Sequence, residues 1–303
     1  MEVVVGKYSG FCAGVNYTYI KAKEEIQKGK TYCLGEIIHN KQVINELEDM
    51  GMITVDKIEE IPNGSRVIFR AHGEPLEVYK KAEDKNLEVI DLTCGRVKII
   101  HNKVSKEKEN SFILIIGKKT HPEIIGTLGF SGESSYVIES FDDIEPSFEK
   151  YLSSGLNKVY VVSQTTFSSE LFDLIVEKIK DTYKDSDIVI DKTICDATSK
   201  RQKETEELSN QSDMVLVIGS SNSSNTKELY NIAINNCKEV YFIENLDDLK
   251  DIKFNNNYRV GVVAGASAPK YLIESVVDSI KAENLWYLDF LCLLWYNVIV
   301  ERE

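Results

Sequence analysis

EVIDLTCGRVKIIHNKVSKEK, residues Glu88–Lys108, is a short β-branched strand, a polar loop with one cysteine, and an amphipathic helix. The same unit occurs twice more. VVVGKYSGF runs into Cys12 and IVIDKTI into Cys195, and a helical pattern follows each of the three cysteines. Cys94 and Cys195 also share an Asp-then-Thr lead-in. The three cysteines are separated by 82 and 101 residues, and 89 more run from Cys195 to Asn284. Similar intervals, each opened by strand, loop and cysteine, read as a weak internal repeat of three α/β modules.

Working outward, β-branched runs alternate with amphipathic stretches along most of the chain. Strands are expected at Glu2–Val5, Arg66–Arg70, Glu88–Asp91, Phe112–Ile116, Lys158–Ser163, Asp187–Asp191, Met214–Ile218, Glu239–Phe242 and Arg259–Ala264. Helical periodicity covers Gly14–Gln27, Gln42–Met50, Pro75–Lys85, Val97–Lys108, Ser169–Tyr183, Thr198–Gln211, Asn225–Asn235 and Pro269–Lys281. Such alternation predicts parallel sheets built from βαβ units. Continuous apolar strands such as FILII and MVLVI predict helices on both faces. The expected modules are residues 13–95, residues 96–193, and residues 194–284 together with 1–12. An apolar tail, 285–303, follows. Within it Leu285–Val300 is interrupted only by Asp289 and Asn297, yet falls short of the ~20 apolar residues of a spanning helix.

The chain has 303 residues, ample for a buried core without disulfides. With 36 basic and 49 acidic side chains its net charge is −13, which argues against a general nucleic-acid binder. Six cysteines are too few for a secreted disulfide scaffold, and MEVVVGKYSG lacks the pattern of a secretory signal. A reduced, cytoplasmic protein is expected.

In open α/β sheets ligands bind beyond the carboxyl ends of the strands. The loops expected there are Ile37–Lys41, Arg70–Pro75, Gly117–Glu123, Ser163–Ser168, Gly219–Asn225 and Gly265–Pro269. Three of the four histidines, His39, His72 and His121, fall in them, whereas His101 falls inside a helical pattern. Imidazoles combined with uncharged donors suit an anion, and Ser223, Ser224 and Asn225 open a helix whose free amides favour phosphate oxygens. Ser267 repeats the device in the last loop. No Walker lysine motif or GxGxxG stands at a strand–helix junction. Glu123, at a helix start beside His121, is either a buried proton donor or a complement to the helix dipole. Cys12, Cys94 and Cys195 are not paired as CxxC. Converging, they suit a zinc ion closed by a histidine, or an iron–sulfur cluster with one iron lacking a protein thiolate. Cys33, Cys237 and Cys292 read as structural thiols.

Taken in order, the loops resemble one family, the 4-hydroxy-3-methylbut-2-enyl diphosphate reductases (LytB family) that end the non-mevalonate isoprenoid route. The strings are GFCAGV (Gly10–Val15), HNK (His39–Lys41), AHG (Ala71–Gly73), DLTC with Val97 and His101, HPEIIGTLG (His121–Gly129), QTT (Gln164–Thr166), ICDATSKRQ (Ile194–Gln202), SSNSSN (Ser220–Asn225) and GASAP (Gly265–Pro269). They span Met1 to about Lys281.

The resemblance implies a cloverleaf of three α/β modules around a [4Fe-4S] cluster held by Cys12, Cys94 and Cys195. It places His39, His72, His121, Ser223, Ser224, Asn225 and Ser267 about a substrate diphosphate. Thr165 and Glu123 then lie near the substrate hydroxyl, with Glu123 feeding protons. The implied reaction is reductive dehydroxylation to isopentenyl and dimethylallyl diphosphates, with single electrons from a ferredoxin or flavodoxin. Neither nucleic acid nor a membrane span is expected. Two features depart from the pattern: Gly95 stands where the family commonly has proline, and the apolar tail matches nothing in it. The competing readings are a zinc-dependent phosphate-ester hydrolase and a non-catalytic diphosphate-binding module.

Overall fold

The computed structural model describes residues 1–282; the tail expected at 285–303 lies outside the described residues. Its β1 (Glu2–Val5) opens the chain and α1 (Ala13–Ile26) follows. The next strands are β2 (Thr31–Leu34), β3 (Met52–Val55), β4 (Arg66–Phe69) and β5 (Glu88–Asp91), with α2 (Lys41–Asp49) and α3 (Leu76–Asp84) between them. They form one sheet in the order β3-β2-β4-β5. After α4 (Gly95–Glu107) come β6 (Phe112–Ile116), β7 (Ser135–Ile138), β8 (Lys158–Ser163) and β9 (Asp187–Ile190). These pair as β7-β6-β8-β9, with α5 (Pro122–Ser131), α6 (Ile144–Ser154) and α7 (Ser169–Thr182) as connections. Past α8 (Asp196–Asn210) lie β10 (Met214–Ile218), α9 (Ser224–Asn236), β11 (Glu239–Ile243) and β12 (Arg259–Ala264). The third sheet has the order β1-β12-β10-β11.

All pairings are parallel. Read from the opposite edge, the third sheet repeats the other two: second strand, first strand, third strand, fourth. Its fourth place is taken by β1, where Val3 lies opposite Val260. The N-terminal strand thus completes the last sheet. In all three sheets it is the fourth strand that leads to a cysteine, which is the repeat legible in the sequence.

Contact density divides the chain into two compact units. Cys12–Ser199 holds the first two sheets, and Met1–Phe11 with the residues from Lys200 onward holds the third. The central strands explain themselves physically. All five residues of FILII in β6 are buried. Phe112, Leu114 and Ile116 pack on one face against Phe172, Ile175 and Ile179 of α7. Ile113 and Ile115 pack on the other against Ile100, Val104 and Ile124 of α4 and α5. At about 1.5–3 kcal/mol for each fully buried aliphatic side chain, this two-sided burial holds the strand between helices.

Candidate functional site

The candidate side chains stand in the loops at the carboxyl ends of the strands, and the cysteines stand after equivalent strands. After the fourth strand of each sheet a cysteine stands at the start of a helix. Cys12 caps α1, its Sγ accepting from the Val15 N–H at 3.4 Å. Cys94 caps α4, its N–H bonded to the Ala71 carbonyl. Cys195 precedes α8 and accepts at its carbonyl from Thr198 and Ser199. All three are free and partly exposed.

The first turn of α1 passes Cys94 so closely that a Cβ on Gly14 would lie 2.7 Å from the Cys94 sulfur and 4.0 Å from that of Cys12. Burial raises the Cys94 thiol, and the neighbouring Cys12 and Cys195 sulfurs raise it further. Three cysteines carried by equivalent turns are a soft donor set of the kind an iron–sulfur core takes. Among the described residues, His39, His72 and His121 bring three ligand atoms within 4.8 Å of one another. Of the remaining cysteines, Cys33 is buried, pushed up to about 12, and donates to the Gly35 carbonyl. Cys237 donates to the Ser212 carbonyl, and Cys292 lies outside the described residues.

The histidines come from the ends of the first and third strands. His39 follows β2, His72 follows β4, and His121 follows β6 as the cap of α5. Their ring centroids lie 4.5, 5.4 and 5.8 Å apart. Burial, then the charges of His39, His121 and Arg70, hold His72 well below the ordinary imidazole range. Burial, with His39, Arg70 and Lys118, pulls His121 down to about 3.

Three imidazoles this close invite a metal, but the tautomer of His121 argues for an anion. Its Nδ1 accepts from the Glu123 N–H at 3.2 Å, which leaves the proton on Nε2 as a donor. A metal there would displace either that proton or the helix cap. His39 Nδ1 lies 2.9 Å from Glu36 Oε2, and the carboxylate, an acceptor only, fixes the proton on Nδ1.

Glu123 sits in the first turn of α5, 3% exposed. Its carboxylate accepts from the Thr165 N–H at 2.6 Å and the Thr165 hydroxyl at 2.7 Å. Burial outweighs those two bonds and pushes it up to about 7. Gln164, beside Thr165, accepts from the Lys118 N–H and so ties the β6 and β8 loops together. His101, the histidine expected inside a helix, is buried in α4 and stacks on Phe130 at 4.4 Å.

In the other compact unit, Ser223 caps α9 and accepts from the Thr226 N–H. Asn225 is 3% exposed, and neither side-chain polar atom has a partner among the described residues. A Cβ on Gly265 would lie 2.1 Å from Thr226 Oγ1, so the GASAP loop presses onto the first turn of α9. Ser267, in that loop, is buried, and Ser224 is partly exposed. An unsatisfied buried carboxamide at a helix start suits a ligand rich in oxygen atoms.

Sequence reasoning passed over Glu36, Arg70 and Glu74. Arg70 Nε bonds Glu74 Oε1 at 3.0 Å, and the guanidinium lies over Gly35, where a Cβ would come within 2.2 Å of Nη1. Gly35 has φ +69, open to glycine at little cost. The signals were the three-residue spacing from Glu36 to His39 and the four-residue spacing from Arg70 to Glu74.

Parallel α/β sheets that bring a thiol trio and an imidazole trio to their strand ends define a class of ligand-binding redox proteins. The chain belongs to the LytB protein family, whose family model matches residues 3–281. It is similar to the 4-hydroxy-3-methylbut-2-enyl diphosphate reductase of Caldanaerobacter subterraneus subsp. tengcongensis. The two are 38% identical over 290 residues, 93% of this chain and 97% of that one. It is also similar to the solved E-1-hydroxy-2-methyl-but-2-enyl-4-diphosphate reductase from Plasmodium falciparum, at a TM-score of 0.82 and 30% identity over 91% of this chain and 87% of that one. A second solved structure, titled (E)-4-hydroxy-3-methyl-but-2-enyl diphosphate reductase, the terminal enzyme of the non-mevalonate pathway, matches at a TM-score of 0.66 and 35% identity. It covers 93% of this chain and all 100% of that one.

Proposed function

We propose that this chain is an iron–sulfur reductase that removes the allylic hydroxyl of 4-hydroxy-3-methylbut-2-enyl diphosphate, giving isopentenyl and dimethylallyl diphosphates. The observation that carries the proposal is the threefold placement of Cys12, Cys94 and Cys195. Each follows the fourth strand of an identically ordered sheet, and the Cys94 sulfur feels both others. The names of the similar proteins support the substrate and the reaction.

Cys12, Cys94 and Cys195 would hold the cluster, whose bound form supplies single electrons and one iron free of protein thiolate to act as a Lewis acid. The protein's own residues do the rest. His121 offers its Nε2–H to a diphosphate oxygen, and His39 and His72 complete the imidazole cradle. In the other unit, Ser223, Ser224, Asn225 and Ser267 are assigned to anion binding, as uncharged donors at a helix start suit phosphate oxygens. Fixing both ends of a short substrate converts binding into orientation.

Glu123, near 7, is protonated in about half the molecules at neutral pH. In its acid form the carboxyl donates to the Thr165 hydroxyl it touches, and that hydroxyl passes a proton to the departing oxygen. Electrons arrive singly from a small donor of the ferredoxin or flavodoxin kind. Among the described residues no helix is long and apolar enough to cross a membrane. The similar proteins are named reductases, which favours this reading over zinc hydrolysis.

The test is anaerobic reconstitution with iron and sulfide, followed by assay with a chemical one-electron donor. Wild type should take up cluster and form both products. Cys94→Ser should lose the visible absorbance and essentially all turnover, because a hydroxyl replaces a soft thiolate poorly. Full iron content in that variant would remove Cys94 from the ligand set.

A further inference from the structure

The loop that delivers Cys12 contains Gly6 and Gly10, the latter at φ +94, and has little stiffness of its own. It is nevertheless held along its length by Glu204 and Ser9, which lie outside every motif quoted above, and by Arg201, which lies within ICDATSKRQ but was given no role there. Glu204 of α8 accepts the Lys7 N–H at 2.6 Å on Oε1 and the Tyr8 N–H at 2.9 Å on Oε2. One turn earlier in the same helix, Arg201 Nη2 donates to the Gly10 carbonyl at 2.7 Å in a buried bond. A Cβ on Gly6 would lie 2.8 Å from Glu204 Oε2, so glycine there makes room for the carboxylate. Ser9 Oγ accepts from the Ala264 N–H at 3.1 Å and fastens the loop to the end of β12. Lys7 and Lys200 stand 5.6 and 5.8 Å from the Tyr8 ring.

We propose that Glu204 and Arg201 are positioning residues for Cys12. The helix that begins directly after Cys195 grips the loop that ends in Cys12, so one sulfur-bearing turn sets the place of another. The proposal rests on the reading of Cys12 as a cluster ligand. A carboxylate shared by two backbone amides is among the stronger hydrogen-bonding arrangements available to a loop. Without it the two-glycine arm regains its freedom, and Cys12 becomes the ligand most readily lost.

The experiment follows iron release to a chelator from reconstituted, substrate-free protein, with no turnover required. Wild type is compared with Glu204→Gln, Glu204→Asp, Arg201→Lys, Cys12→Ser and Asp213→Asn. Asp213 is the control, because its carboxylate accepts from the Arg259 N–H in the same unit but away from the arm. Glu204→Gln should release iron about tenfold faster than wild type, as expected for one lost charge-assisted bond. Glu204→Asp and Arg201→Lys should fall between, and Asp213→Asn should match wild type.

Far-UV circular dichroism of each apoprotein identifies variants that fail to fold. If Glu204→Gln is among them, Glu204→Asp decides. A wild-type rate in the deciding Glu204 variant, or equal acceleration in Asp213→Asn, overturns the clamp. If Cys12→Ser still sheds its cluster in that case, the ligand reading survives alone. Wild-type iron content and release in Cys12→Ser would remove the ligand reading and the clamp together.

Discussion

The sheets β2–β5 and β6–β9 have the same strand order, yet their loops bury a carboxyl group in two different ways. The first sheet places Glu74 after β4, 5% exposed and bonded to Arg70. The second places Glu123 after β6, equally hidden, with only the Thr165 hydroxyl and amide for company. Burial raises both groups, but Arg70 pulls Glu74 back, whereas no cation does so for Glu123. Within one architecture, a buried acid given a counter-ion becomes an anchor. One denied it becomes a proton store near neutral pH.

The largest effect that can break this contrast is on turnover. Glu123→Gln should bind cluster and substrate much as wild type does, yet lower kcat by about 10²–10⁴-fold, the usual worth of a positioned general acid. The wild-type rate should also fall as pH rises through about 7, where Glu123 loses its proton, and the variant should lack that limb. An unchanged kcat in steady-state assays would show that Glu123 is as inert as its counterpart.

A smaller effect appears in stability. Folding raises Glu123 from 4.5 to about 7, so the folded state holds its proton more tightly than the unfolded chain. The stability linked to this group is intact below about 4.5, declines as pH rises, and is lost above about 7. Over that window wild type should lose roughly 3 kcal/mol that Glu123→Gln keeps. Urea melts at pH 5 and pH 8.5 measure the difference. A gap between the two proteins that does not widen with pH would mean the carboxyl is hydrated after all.

Much of this arrangement was legible in the chain because it is local. FILII and MVLVI read as covered central strands, and cysteines after the fourth strands marked the repeat. His39, His72 and His121 stood out as scarce residues in polar loops. The strands β2, β3 and β7 were not among the expected ones. TYCL, MITV and SYVI are four residues each, too short to display a period, and Thr31 and Ser135 are polar residues buried by tertiary packing. Helix α6 was obscured by Pro146 in its first turn, where proline costs a helix nothing. The roles of Glu36, Arg70 and Glu204 depend on partners that only the folded chain brings near, so residue type and spacing carried little of that signal.

The mildest test falls on the anchored acid itself. Glu74→Gln removes the carboxylate but leaves Arg70 in place over Gly35, now without its ionic partner. Because the Arg70 side chain is 19% exposed, water relieves part of the lost attraction. The cost should be about 1–3 kcal/mol, read as a lower urea midpoint with an unchanged slope. It should not grow between pH 7 and pH 8.5. The proton-donor limb in the rate profile should persist, because Glu123 is untouched. A loss of that limb in Glu74→Gln would mean that the two carboxyls titrate as one coupled system, and the division of labour between the two sheets would fail.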